Sequence, residues 1–154
     1  MNDSTQVSNN EVILKEITKY TVREICNLSV LKEQSEFVAP NAVSIAEAYF
    51  SEHAWFRAIY HGKKPVGFLM LEVCPEKPEY FLWRFMIDSK YQRLGYGSKA
   101  IKLLIEHVKT MPDSSVLLTS VVQEEGGPEN FYKNIGFVLT GEVDDGEAVM
   151  SLEL

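Results

Sequence analysis

The sequence predicts an α/β (α+β) domain of about seven strands and about four helices, on three observations. Apolar stretches of strand length fall at 12–17, 55–60, 66–73, 80–87, 116–122, 137–140 and 148–154. Between them, residues 22–31, 40–50, 98–109 and 128–135 space their apolar side chains at helical intervals or carry helix-start signals. The chain has 154 residues, is 45% hydrophobic and contains no internal repeat, low-complexity tract or linker, which suits one core. The reading is a single domain over 11–154, preceded by a flexible segment, 1–10.

Each element has a local reason. Val12-Ile13-Leu14-Lys15-Glu16-Ile17 is the first strand, and Thr21 is placed to cap a helix from Val22 to about Leu31, with Glu24 completing a capping-box pattern. Pro40 to Phe50 is a second helix with Ala42, Ile45, Ala46 and Tyr49 on its apolar side. Trp55 to Tyr60 and Val66 to Val73 form a hairpin around Gly62, and the break Cys74-Pro75-Glu76-Lys77-Pro78 follows. Tyr80 to Ile87, "YFLWRFMI", is apolar on both faces except for Arg84, the mark of a central buried strand. From Ser98 to Lys109, Ile101, Leu104, Ile105 and Val108 make one apolar face, while Lys99, Lys102, Glu106 and Lys109 face outward. Val116 to Val122 is a buried strand, Pro128 opens a short helix that Gly136 ends, and two last strands flank the acidic turn Glu142-Val143-Asp144-Asp145-Gly146.

Composition excludes several function classes. Lys and Arg total 15 against 22 Asp and Glu, a net charge of -7 that repels a phosphate backbone, so no nucleic-acid partner is expected. A cationic small molecule suits the charge. Cys26 and Cys74 lie in no CxxC or Cys/His cluster and read as buried, reduced thiols. His53, His61 and His107 share no ligand spacing, so no metal is predicted. The polar start MNDSTQVSNN has no targeting pattern and no apolar run nears the roughly 20 residues of a membrane span, so the expectation is a cytoplasmic protein without a membrane partner.

The segment Lys90 to Ser98, "KYQRLGYGS", places two glycines between a buried strand and a helix start. Such a loop aims main-chain N–H groups at one point and suits an anion. It is not an ATP-type loop, because Ser98 rather than Lys follows Gly97 and no glycine stands five residues earlier. Gly95-Tyr96-Gly97-Ser98-Lys99-Ala100 satisfies a dinucleotide fingerprint by count, but Gly95 comes seven residues after Asp88 and no acidic residue ends the next strand. A helix-entry turn that uses glycine for close packing is the plain alternative.

Gln92-Arg93-Leu94-Gly95-Tyr96-Gly97 resembles the Gln/Arg-x-x-Gly-x-Gly/Ala loop of the GNAT superfamily of N-acetyltransferases. "LWRFMIDSKYQRLGYG" resembles that family's fourth strand and loop, and "NFYKNIGF", 130 to 137, its helix with a Tyr-x-x-x-Gly-Phe signature. "FVAPNAVSIAEAYF", "WFRAIY", "EEGGPENFY" and "TGEVDDGEAVM" resemble stretches of the spermine/spermidine (diamine) acetyltransferase branch. The resemblance covers 12 to 154 and implies a central mixed, mostly antiparallel twisted sheet with acetyl-coenzyme A as cofactor.

By that resemblance Gln92, Arg93, Leu94, Gly95, Tyr96, Gly97 and Ser98 bind the pyrophosphate, and Phe85, Met86 and Ile87 expose backbone groups to the pantetheine arm where the neighbouring strand splays away. Asn130 and Lys133 are counted with the cofactor contacts, although many relatives carry an asparagine where this chain has Glu125-Gly126-Gly127-Pro128. Tyr132 matches the tyrosine near the sulfur, assigned as general acid, with filling of the core beside Phe131 and Phe137 as its alternative. Trp83 stands where some relatives place a glutamate base, which leaves Glu72, Glu79, Tyr80 and Glu47 as open candidates. The small-molecule amine, a polyamine or diamine, is expected against Glu33, Glu36, Glu72 and Tyr80, with Glu142, Asp144, Asp145 and Glu147 of the closing turn as further carboxylates. A protein or peptide N-acetyltransferase and a non-catalytic coenzyme A sensor are the alternatives. A homodimer by exchange of the final strand is compatible with the family.

Overall fold

A computed structural model describes residues 11–74 and 79–154. The expected flexible segment 1–10 and most of the break at 74–78 lie outside the described residues. Seven strands form one sheet: β1 (Val12–Lys15), β2 (Ala54–His61), β3 (Lys64–Cys74), β4 (Glu79–Ile87), β5 (Val116–Val121), β6 (Val138–Asp144) and β7 (Glu147–Glu153). Their order is β1-β2-β3-β4-β5-β7-β6. All neighbours pair antiparallel except β4 and β5, which are parallel because a helical crossover joins them. The helices are α1 (Val22–Cys26), α2 (Asn41–Tyr49), α3 (Tyr96–Lys109) and α4 (Glu129–Ile135).

Two cores result. On one face Ala100, Ile101, Leu104 and Val108 of α3, with Tyr132 of α4, pack on Leu69, Leu71, Leu82 and Leu117 of the sheet. On the other, Ile25 of α1 and Ala48 of α2 cover Ala58, Phe68, Met70 and Met86.

The parting of β4 from β5 makes the site. Their ladder holds only from Tyr80↔Leu117 to Leu82↔Thr119 and is absent beyond. On the other edge of β4 the pairing jumps from Leu71↔Leu82 to Met70↔Arg84, so Trp83 is the extra residue of a β-bulge. The bulge sends two successive side chains to one side: Trp83 packs in the α1/α2 core and Arg84 meets Glu47 of α2, after which Phe85 returns to the α3/α4 side.

Several elements differ from expectation. α1 ends at Cys26 rather than near Leu31, because Ser29 is drawn to the end of β4: its N–H donates to the buried Asp88 carboxylate at 2.9 Å, and its carbonyl accepts from Ser89 N–H at 2.8 Å. Thr21 precedes α1 without capping it, since its hydroxyl accepts from Thr18 N–H at 2.9 Å in the preceding turn. The buried side of α2 is Asn41, Ser44 and Ala48, and Tyr49 is 84% exposed, because Asn41 reaches the Ile25 carbonyl at 2.9 Å and rotates the helix accordingly. β6 runs through the acidic stretch to Asp144, and the turn is the pair Asp145-Gly146, both at positive φ. Cys74 is exposed, not buried, at the end of β3, and Cys26 is half-buried.

Candidate active site

The opening between β4 and β5 is a cleft of about 1010 Å³. Phe85, Met86 and Ile87 line it where β4 has lost its parallel partner, and Thr119 and Ser120 line it from β5. Backbone groups on that edge of β4 have no strand beside them, which is the splay expected from the sequence.

The glycine loop lines part of the cleft. Gly95 adopts φ 85° as the residue before α3, so the helix begins at Tyr96, two residues earlier than expected. The first N–H groups of a 14-residue helix have no acceptor within it and carry partial positive charge, and here they belong to Tyr96, Gly97 and Ser98, which line the cleft. Arg93, itself at φ 63°, lines it too. Leu94 is 58% exposed and is not part of the cleft. Gln92 lines the cleft but its amide is engaged: Nε2 donates to the Ile87 carbonyl at 2.9 Å and to Gln34 Oε1 at 2.8 Å. A side chain at Gly97 would put its Cβ 3.3 Å from the rings of both Phe85 and Phe131, so these rings would have to give by a few tenths of an ångström to admit one.

Tyr132 projects from α4 into the inner wall beside Phe131 and Phe137, with ring centroids 5.2 and 5.3 Å away. Burial pushes its phenol well above the ordinary tyrosine range, and the neighbouring Thr119 offsets this only in part. Thr119 Oγ1 donates to the Leu82 carbonyl at 3.1 Å, at the point where β4 and β5 part. Tyr132 is therefore a neutral hydrogen-bond donor rather than a source of tyrosinate. Asn130 and Lys133 are not among the residues that line the cleft; Lys133 pairs with Glu129 at 3.1 Å.

Carboxylates also line the cleft. Glu36, Asp144, Asp145 and Glu147 line it, and Glu147 accepts from Ser120 Oγ at 3.3 Å. Glu33 and Glu142 lie outside this lining. Glu72 and Glu79 line a separate, smaller depression of about 340 Å³. Tyr80 is 2% exposed, sits in the α3/α4 core and donates its hydroxyl to the Pro112 carbonyl, so the structure removes it from the acceptor's reach. Glu47 lines the cleft, 3.4 Å from Arg84.

Reading the residues alone missed Asp88, Gln34 and Arg84. Asp88 is 3% exposed and accepts from Ser29 N–H and Lys90 N–H, fixing the start of the loop against the α1–α2 connection. An aspartate directly after an apolar strand and two residues before Lys90 was the available signal; its partner Ser29 is 59 residues away.

This chain is 29% identical over 148 residues to the spermine/spermidine N(1)-acetyltransferase of Bacillus subtilis (strain 168), an alignment covering 92% of this chain and 97% of that relative. The spermidine N-acetyltransferase from Vibrio cholerae, solved in complex with CoA and spermine, has the same fold, with a TM-score of 0.73 at 15% identity over 92% of this chain and 95% of that one. An acetyltransferase from Thermus thermophilus gives 0.73 at 14% identity, over 93% of this chain and 97% of its own. The family model described as Acetyltransferase (GNAT) family matches residues 20–137, a span that takes in the bulged strand, the glycine loop and the Tyr132 helix together, so the chain belongs to this family of N-acetyltransferases.

Proposed function

We propose that the protein transfers the acetyl group of acetyl-coenzyme A to a primary amine of a polyamine or diamine. The observation that carries the reading is the lining of a single cleft: main-chain donors of the Gln92–Ser98 loop, four carboxylates without a salt bridge among the described residues, and the unpartnered edge of β4 with Tyr132. The names of the Bacillus subtilis and Vibrio cholerae relatives support the substrate class.

The N–H groups of Tyr96, Gly97 and Ser98, with Arg93, would hold the cofactor's pyrophosphate, and the unpartnered edge of β4 at Phe85, Met86 and Ile87 would hold its pantetheine arm. A β4 N–H near Met86 then faces the thioester oxygen and stabilises the charge that forms there. An alkyl ammonium has a pKa of about 10.4, so releasing its proton at pH 7 costs about 4–5 kcal/mol and the site must lower this. Attack of the neutral amine on the thioester carbon gives a tetrahedral intermediate. Its collapse breaks the C–S bond, and Tyr132 donates a hydrogen bond to the departing sulfur. A thiol's pKa is near 8.5, well below that of the buried phenol, so the hydrogen bond rather than full proton transfer from Tyr132 stabilises the thiolate.

The remote ammonium groups of the acceptor lie among Glu36, Asp144, Asp145 and Glu147. Exposed pairs contribute only about 0–1 kcal/mol each, and several act together in a focused field. The test is kcat/KM for spermidine against ionic strength, in the wild type and in Glu36→Gln and Asp144→Asn. The reading expects a fall with salt and a weaker salt dependence in both variants. Indifference to salt and to both substitutions contradicts it. A homodimer and a cytoplasmic location belong to the same proposal; the edge strand β6, exposed along all seven residues, supports pairing with a second copy.

A further inference from the structure

We propose that Glu47, held by Arg84, is the base that takes the proton of the incoming amine; this rests on the acetyl-transfer reading above and supplies the role that Trp83 leaves vacant on β4. Four observations converge. The bulge at Trp83 turns Arg84 toward the α2 side at the strand position next to Phe85 and Met86, where β4 and β5 have parted. Arg84 Nη2 stands 3.4 Å from both oxygens of Glu47, which fixes the carboxylate against the strand that faces the acetyl group. The Glu47 side chain keeps 39% of its surface open and lines the cleft, so one partner does not close it off. Arg84 Nε is buried without an acceptor, and among the described residues it is the one such side-chain donor in the cleft wall.

The other carboxylates of the cleft are placed differently. Asp144 and Asp145 are at the β6–β7 turn, Glu36 is on the α1–α2 connection, and Glu147 is bonded to Ser120 of β5. None is joined to the strand that carries Phe85 and Met86. Among the described residues, these four, Arg84 and Arg93 are the charged groups that line the cleft besides Glu47; of the elements packed on α2, α1 carries Arg23 and Glu24 and β2 carries Arg57, Tyr60 and His61. Arg84 has a second effect: its guanidinium beside the amine disfavours the ammonium form and so offsets the opposite pull of the Glu47 carboxylate.

In the step, the acceptor's –NH3+ gives one proton to the Glu47 carboxylate and its freed lone pair forms the C–N bond to the thioester carbon. The C–S bond breaks with its electron pair going to sulfur, the nitrogen loses a second proton and the thiolate gains one. The sum is one acetamide, one free thiol and one proton, which Glu47 passes to solvent.

The experiment is the pH profile of kcat, with the KM for acetyl-coenzyme A and for spermidine from full saturation curves, in the wild type, Glu47→Gln, Glu47→Asp and Glu147→Gln, with each fold checked by thermal melting. Glu47→Gln is expected to lower kcat roughly 100- to 10,000-fold, to abolish the acidic limb and to leave the KM for acetyl-coenzyme A unchanged. Glu47→Asp keeps the limb at reduced rate, and Glu147→Gln keeps it while raising the KM for spermidine. A Glu47→Gln profile superimposable on the wild type overturns the assignment, as does loss of the limb in Glu147→Gln. If the wild type acetylates a different amine and not spermidine, the polyamine reading fails and the same profiles with that amine decide on Glu47. A wild type that acetylates no amine overturns both.

Discussion

The side-chain amides of Gln34 and Gln92 pair head to head: Gln92 Nε2 donates to Gln34 Oε1 at 2.8 Å and Gln34 Nε2 donates to Gln92 Oε1 at 3.1 Å. Gln92 Nε2 also donates to the Ile87 carbonyl at 2.9 Å, and Gln34 Oε1 accepts from Leu31 N–H at 3.1 Å. The pair therefore ties the end of β4 and the glycine loop to the α1–α2 connection. Gln34→Leu is expected to cost about 1–3 kcal/mol of stability, because Gln92 and Leu31 lose partners, and to weaken coenzyme A binding while kcat changes little. Denaturant unfolding and calorimetry check this. Unchanged stability and unchanged affinity would mean that the pair positions nothing.

Gly97 faces the Phe85–Phe131 stack, whose centroids are 5.5 Å apart at 12°. Gly97→Val must push these rings, at a cost of about 1–3 kcal/mol, and it fills the wall where the cofactor's phosphates lie. The expected result is a folded protein of lower melting temperature whose coenzyme A affinity falls about tenfold or more, a loss of about 1.4 kcal/mol. Full affinity in a folded variant contradicts the assignment of the loop.

Tyr132→Phe should bind coenzyme A as the wild type does and turn over roughly ten- to a thousandfold more slowly when chemistry limits the rate. The raised phenol has a second consequence. Below about pH 10 folded and unfolded chains both hold this proton, so it leaves stability unaffected. Above that the unfolded chain releases it while the folded chain keeps it, and stability falls by about 1.4 kcal/mol per pH unit until the folded phenol titrates. Unfolding free energies at successive alkaline pH values should decline less steeply in Tyr132→Phe; identical slopes would remove the buried-phenol account.

On the sheet's α3 side, His107 stacks on Trp55 at 4.1 Å and 13°, with Nε2 buried and unpartnered. Burial, and then the charge of Arg57, lowers its pKa. The unfolded chain takes up this proton first, near pH 6.5, so the neutral ring contributes stability above that value and the contribution is lost as pH falls through the lowered folded pKa. His107→Phe should show a flatter loss of stability below pH 6.5 than the wild type, measured by denaturant unfolding. A loss as steep as in the wild type would place the titration elsewhere.

The number and order of elements were legible because α3 and β2–β5 carry strong periodicity, and the loop and the Tyr132 signature were legible because their residues are contiguous. What the sequence hid depends on long-range partners. "YFLWRFMI" shows no sign that Trp83 is an extra residue, since a bulge is defined by the register of β3, not by β4 itself. For the same reason Arg84 and Glu47, 37 residues apart, could not be joined by spacing. The capping-box pattern at Thr21 was real as a pattern and failed because Thr18 offers its N–H to the same hydroxyl. Tyr80 looked available at the start of a strand, and the turn at Pro112 claims it.

The most direct test of the account is the rate of free-thiol release from acetyl-coenzyme A with spermidine, compared with a lysine-containing peptide and with no acceptor. The account predicts turnover on spermidine, with a kcat/KM at least about tenfold above that for the peptide, equivalent to about 1.4 kcal/mol from the carboxylates that line the cleft. Equal or better turnover on the peptide, or release no faster than without an acceptor, would contradict it.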